Sequence, residues 1–133
     1  MKEKKILIID DDPIILFLHE VILKEIAPQA QIIPLESGVL AKDYLIEHQN
    51  EEFLLFLDIN MPLMNGWELL DFISRTDCQL GVLVLMVTSS VNDSDRVKAF
   101  QYPMVKGMLI KPLNLEHIIN TIEGQTIKKF LDV

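Results

Sequence analysis

The sequence predicts an α/β protein: a doubly wound, five-stranded parallel sheet with helices on both faces, built as five βα units. Three observations predict it. Short apolar runs with β-branched residues alternate five times with longer segments of helical period. The runs are continuously apolar rather than alternating, which marks strands buried on both faces. Finally, 133 residues, half of them hydrophobic, are one domain's length and enough for a core of its own.

Taken in order, Ile6 to Ile9 is the first strand and runs into Asp10-Asp11-Asp12-Pro13. Asp12 is a good N-cap and Pro13 suits a first helical position, so a helix is expected from Pro13 to Ile26. Within it Ile14, Phe17, Leu18, Val21 and Ile22 share one face, the expected core face. Leu16 and Leu23 fall nearly opposite, where exposed leucines are either ordinary scattered surface residues or the mark of a homodimer or kinase contact. Ala30 to Leu35 reads as the second strand despite Pro34, and Ser37 or Gly38 to His48 as the second helix. Phe53 to Leu57 is a buried strand ending at Asp58, and Asn65-Gly66 turns the chain into a helix from Trp67 to Arg75. Val82 to Val87 is the fourth strand, ending at Thr88, followed by a short helix from Asp93 to Gln101. Val105 to Ile110 is the fifth strand, ending at Lys111-Pro112. Asn114 then caps a last helix whose Leu115, Ile118, Ile119 and Ile122 give an i, i+3, i+4, i+7 stripe.

Composition excludes several classes. The net charge of −8 leaves no basic footprint for nucleic acid. The longest apolar stretch, Leu80 to Val87, is far below the roughly 20 residues of a spanning helix. No secretory layout follows Met1-Lys-Glu-Lys-Lys, so a soluble, cytoplasmic protein is expected. The single cysteine, Cys78, excludes an internal disulfide and reads as a spectator thiol. His19, His48 and His117 are too scattered for a metal site.

In parallel sheets of this kind ligands bind beyond the carboxyl ends of the strands. Those ends supply Asp10 and Asp11, Asp58, Thr88 and Lys111. An Asp at a strand end is often only a turn former, and a lone Thr or Lys means little. As a set they put three carboxylates, a hydroxyl and an ammonium on one rim. Clustered carboxylates repel, and one lysine offsets only part of that. Oxygen ligands suit a hard divalent ion, and Mg2+ commonly combines carboxylates with phosphate oxygens. The combination fits phosphoryl transfer, in which a carboxylate can itself accept the group as an acyl phosphate.

Ile6-Leu-Ile-Ile-Asp-Asp-Asp-Pro13, Leu57-Asp-Ile-Asn-Met-Pro62 with Asn65-Gly66, Val87-Thr88 and Ile110-Lys-Pro112 resemble the receiver domain of two-component response regulators, over residues 4–123. The resemblance implies the flavodoxin/CheY-like fold and a set of roles. Asp58 is implied as phosphoacceptor, taking its phosphoryl group from a histidine kinase or a His-containing phosphotransfer protein. Asp11, Asp58 and the Asn60 backbone carbonyl are implied ligands of Mg2+, with Asp10 acting through a metal-bound water. Lys111 is implied to pair with Asp58 and Thr88 to donate its hydroxyl to the phosphoryl group. The Lys111-Pro112 bond is expected to be cis. Asn60 and Ser90, polar and fairly small, stand where the family tunes water access, so an exceptionally long-lived phosphoryl group is not expected.

The chain departs from the family in two places. Met108 stands three residues before the lysine, where the family has Tyr or Phe, leaving Tyr102 or Phe100 as substitutes. The Thr88–Lys111 interval also reads about one residue long. Domain organisation is expected as a receiver over residues 1–123 and a short tail over 124–133 without an effector domain. The helix 4, strand 5 and helix 5 surface, Asp93 to Glu123, is the expected output surface. Ile127, Phe130 and Leu131 form either plain terminal packing or a short docking helix. Two other readings compete. A phosphorylation-independent interaction module keeps the fold and loses the chemistry. A haloacid dehalogenase-type phosphatase would use Asp10 as nucleophile and Asp12 as general acid, but Ile14 and the missing later acidic pair count against it.

Overall fold

In the computed structural model of the chain, which describes residues 3–76 and 81–121, ten elements alternate strictly. They are β1 (Lys4–Ile9), α1 (Pro13–Ile26), β2 (Gln31–Leu35), α2 (Gly38–Glu47), β3 (Glu52–Asp58), α3 (Gly66–Ser74), β4 (Val82–Thr88), α4 (Asp93–Ala99), β5 (Val105–Ile110) and α5 (Leu115–Thr121). All four strand pairings are parallel, in the order β2-β1-β3-β4-β5. The chain steps from β1 to one side for β2, then across β1 to the other side for β3. The strand order therefore reverses between β1 and β3, and the crevice that opens there lies between Asp10 and Asp58.

Continuous apolar strands give the sheet two cores. Leu7, Ile9, Leu55, Leu57, Val84 and Met86 pack with Ala41 and Leu45 of α2 and Leu69, Leu70 and Ile73 of α3. Ile6, Ile8, Leu54, Phe56, Leu85 and Val87 pack with Leu16 and Leu23 of α1 and Ile118 of α5. Pro34 is accommodated because β2 is an edge strand, where a missing N–H costs no ladder bond. The helices start on side-chain caps, Asp12, Ser37, Asn65, Asn92 and Asn114, each accepting from a backbone N–H of the first turn. Asn65 completes a capping box with Glu68.

Element boundaries move by a residue or two from those the sequence predicts, as helix ends and strand ends usually do. The face of α1 is a true reversal. Leu16, His19 and Leu23 are the buried residues of the helix. Ile14 and Phe17 are 75% and 69% exposed, with Leu18 and Val21 also on the surface. The expected surface leucines are thus core, and the expected core face is an exposed apolar patch. The physical reason is the phase set by the β1–α1 connection. Asp12 must cap the helix while Asp10 stays buried beside β1, and this turns the Leu16–His19–Leu23 stripe onto the sheet.

The long Thr88–Lys111 interval contains a β-bulge. Val84 pairs with Val105 but Leu85 pairs with Gly107, so Lys106 is an extra residue on β5. The bulge reverses the strand's alternation. Val105 and Met108 both face the α2–α3 core, and Leu109 faces the other. At Gly107 a Cβ would lie 2.1 Å from Thr121 Cγ2, so α5 packs directly on backbone there. Of the stripe on α5, Ile118 is buried; the side chains of Leu115, Ile119 and Ile122, the loop with Cys78 and the tail with Ile127, Phe130 and Leu131 lie outside the described residues. No described helix is long and apolar enough to cross a membrane.

Candidate functional site

The site is built from the carboxyl ends of β1, β3, β4 and β5. Asp10 leaves β1 buried at 2% exposure and is held by its own turn, the Asp12 N–H donating to Asp10 Oδ1 at 2.9 Å. Asp11 follows it into solvent. Asp58 ends β3 and is also buried. The chain after it is folded back tightly. The Gly66 N–H donates to the Ile59 carbonyl at 2.9 Å, and a Cβ on Gly66 would meet the Asp58 carbonyl oxygen at 2.6 Å. Only glycine lets α3 start this close to the Asp58 backbone.

One carboxylate oxygen from each of Asp10, Asp11 and Asp58 lies within 4.8 Å of the others. Lys111 reaches in from the end of β5 and bridges two of them. Its Nζ is 2.6 Å from Asp10 Oδ2 and 3.1 Å from Asp58 Oδ1. Burial acts to lower the Lys111 pKa, but the two carboxylates outweigh it and raise it, keeping the ammonium charged. Asp58 behaves oppositely. Burial first, then the Asp10 charge, pushes its carboxyl up to about 6, against the opposing pull of Lys111 and the Asn60 backbone N–H. Two buried carboxylates share one cation, and the nearer one, Asp10, has the stronger hold on it. The donor set of three carboxylates with one compensating ammonium fits a hard divalent cation, which would supply the missing positive charge.

Thr88 ends β4 buried at 2% exposure. Its hydroxyl donates to the Ser90 carbonyl at 3.0 Å and accepts from the Ser90 N–H at 3.4 Å. The Thr88 carbonyl accepts from the Lys111 N–H at 2.8 Å, tying the end of β4 to the start of the lysine turn. The Lys111-Pro112 bond is cis, as expected. Asn60 and Ser90 are both exposed. Asp12, the general acid of the phosphatase alternative, is engaged as the cap of α1.

The structure also places His19, to which the sequence assigns no role, and Met108 with its candidate substitutes. His19 is buried under the lysine turn, its Nε2 accepting from the Leu113 N–H at 3.2 Å. Its position one turn from both Leu16 and Leu23 is the signal that would have found it. Met108 is packed into the α2–α3 side of the core. Of its two candidate substitutes, Phe100 is 48% exposed, whereas the Tyr102 hydroxyl donates to Asp71 Oδ1 on α3 at 2.6 Å. Trp67 is half-buried at the start of α3 with Lys98 Nζ 4.5 Å from its ring centroid, which agrees with a packing role.

Comparison with known proteins converges on one family. The response regulator receiver domain matches residues 6–123. A stress response regulator protein 1 of Lodderomyces elongisporus is 32% identical over 97% of this chain and 37% of its own length. An uncharacterized response regulatory protein of Staphylococcus epidermidis is 33% identical over 94% of this chain and 49% of its own. The chain thus spans half or less of the length of these curated relatives. Among solved structures, a two-component response regulator from Cytophaga hutchinsonii superposes with a TM-score of 0.80 at 28% identity, covering 100% of both chains. One from Legionella pneumophila gives 0.75 at 29% identity, covering 90% of this chain and 95% of its own.

Proposed function

The chain belongs to the response regulator receiver domain family, signalling modules of two-component systems, and from that premise we propose that it accepts a phosphoryl group on Asp58 with Mg2+ and signals through the resulting change in its surfaces. The observation that carries the proposal is the pair of buried carboxylates, Asp10 and Asp58, bridged by Lys111 with Asp11 beside them.

Asp10, Asp11, Asp58 and the Asn60 carbonyl are the residues that would hold Mg2+, and the ion would neutralise charge on the carboxylates and on the incoming phosphoryl oxygens. The rest is done by the chain. An Asp58 carboxylate oxygen attacks the phosphorus of a phosphohistidine. A P–O bond forms, the P–N bond breaks with its electron pair going to the imidazole, and that nitrogen takes a proton from solvent. Lys111 already contacts Asp58 and offsets the charge that accumulates there. Thr88 supplies its hydroxyl to a phosphoryl oxygen after leaving its bond to Ser90. With Asn60 and Ser90 exposed, water reaches the acyl phosphate.

The test uses acetyl phosphate as small-molecule donor and intact mass as readout. A gain of one phosphoryl group with Mg2+, absent when EDTA removes the ion, is expected. Mass unchanged with both acetyl phosphate and histidine-phosphorylated donors would favour the phosphorylation-independent interaction module.

A protein donor must bring its histidine to the crevice, and α1 begins at that rim. Its exposed Ile14, Phe17, Leu18 and Val21 give the helix that follows Asp10-Asp11-Asp12 an apolar face, suited to a donor's apolar surface. Phe17→Glu is expected to slow uptake from a phosphohistidine protein about tenfold or more. Uptake from acetyl phosphate and the thermal midpoint should stay as in the wild type, because Phe17 is 69% exposed. Slowing with both donors would place Phe17 in the chemistry rather than in docking. Output is proposed for the face of α4, β5 and α5, where Val97 and Phe100 are exposed. The Tyr102–Asp71 hydrogen bond there links the α4–β5 corner to α3.

A further inference from the structure

The turn that carries Lys111 is fixed at both ends. Before the cis bond, the Lys111 N–H donates to the Thr88 carbonyl at 2.8 Å. Pro112 has no N–H to offer. After it, the next donor is the Leu113 N–H, and its partner is not backbone but the His19 imidazole, 94 residues away on α1. Both groups are sealed from water: His19 is 1% and Leu113 2% exposed. A buried N–H left without an acceptor carries a full desolvation penalty, so this turn needs His19 or a substitute for it.

From this geometry we infer that His19 is a positioning residue of the phosphoryl-accepting site: its Nε2 pins the β5–α5 turn and thereby sets the reach of Lys111 to Asp58. The inference rests on the proposed phosphorylation of Asp58. Accepting at Nε2 requires the imidazole to be neutral with its proton on Nδ1. Burial, reinforced by Lys111 and opposed by Asp10, holds its pKa down at about 4, which agrees with that form. The lysine ammonium stands off Asp58 by 3.1 Å, at the edge of good hydrogen-bond length. A turn free to relax by a fraction of an ångström carries Nζ out of that range. The His19 imidazole accepts its hydrogen bond from the Leu113 N–H, and Asp10 and Lys111 act on it through their charges. Its loss should therefore slow phosphoryl acceptance without weakening the metal site.

Three proteins and one spectroscopic measurement test this. His19→Leu keeps an apolar side chain of similar bulk but has no acceptor, and His19→Gln returns a carbonyl oxygen near the Nε2 position. With acetyl phosphate and Mg2+, His19→Leu should take up the phosphoryl group about ten- to a hundredfold more slowly than the wild type. Its Mg2+ dissociation constant, read from Trp67 fluorescence, should not change, and His19→Gln should recover most of the rate. In 15N-labelled wild-type protein, an N–N coupling across the Leu113 to His19 hydrogen bond should be visible without any phosphorylation. Wild-type uptake in His19→Leu, equal slowing in both variants, or absence of the coupling would each overturn the inference. Should His19→Leu fail to fold, the coupling and the Gln rate decide. A wild type that shows the coupling but accepts no phosphoryl group from any donor would instead count against the Asp58 chemistry.

Discussion

Asp58→Asn is expected to abolish phosphoryl uptake and, at the same time, to make the protein more stable at neutral pH. The first effect follows from removing the proposed nucleophilic oxygen. The second follows from what the fold does to this carboxyl. Burial and the neighbouring Asp10 raise its pKa from an ordinary 3.8 to about 6. The folded chain therefore holds that proton more tightly than the unfolded chain does. For a raised carboxyl the contribution to stability is fully present below about pH 4 and is lost as pH rises through about 6. At pH 7.5 the wild type carries the whole penalty of an ionised, crowded carboxylate. A neutral amide that still accepts from Lys111 does not. The shift of about two units sets a ceiling of roughly 3 kcal/mol, so a gain of about 1–3 kcal/mol is expected. The gain should shrink as denaturation is repeated toward pH 4. Mg2+ should narrow it too, because the ion stabilises only a folded wild-type site that binds it. A variant no more stable than wild type at pH 7.5, or a gain that grows with acidity, would contradict the charge arrangement described above.

Removing Lys111 should produce the second-largest effect. Lys111→Met keeps much of the side chain's length and loses the ammonium that contacts both Asp10 and Asp58. Uptake from acetyl phosphate should fall about 100-fold or more, the scale seen when one preorganised charge-stabilising donor is removed. The Asp58 pKa should rise above about 6, since Lys111 is the larger of the two opposing influences on it. Mg2+ should bind more tightly, since it no longer competes with the ammonium for two carboxylates. Slower chemistry with stronger metal binding is a pairing that general disruption of the site would not give. Lys111→Arg is not expected to restore the rate, because a planar guanidinium is a different shape and a different hydrogen-bond pattern.

Much of this is legible in the amino-acid sequence alone. The strands are legible because buried parallel strands are continuous apolar runs, and the strand ends because each run stops at a polar residue. Asp10, Asp11, Asp58 and Lys111 come together at the carboxyl ends of the strands, where the sheet order reverses between β1 and β3. The face of α1 was not legible. Its richer apolar stripe, Ile14, Phe17, Leu18 and Val21, points to solvent, while the buried stripe is interrupted by His19. Counting apolar positions rewards the wrong face when a core helix spends one buried position on a polar anchor and leaves an apolar patch on its surface. The bulge at Lys106 was also hidden. Sequence shows the interval as long, but only strand pairing shows which residue is left out of register.

The most direct test of the central claim is to locate the modified residue. The protein is treated with acetyl phosphate and Mg2+, the acyl phosphate is reduced in place with borohydride, and peptides are mapped by tandem mass spectrometry. Reduction at Asp58, and at no other carboxylate, is the result this account predicts. Reduction at Asp10 would contradict it and return the phosphatase-like reading to first place.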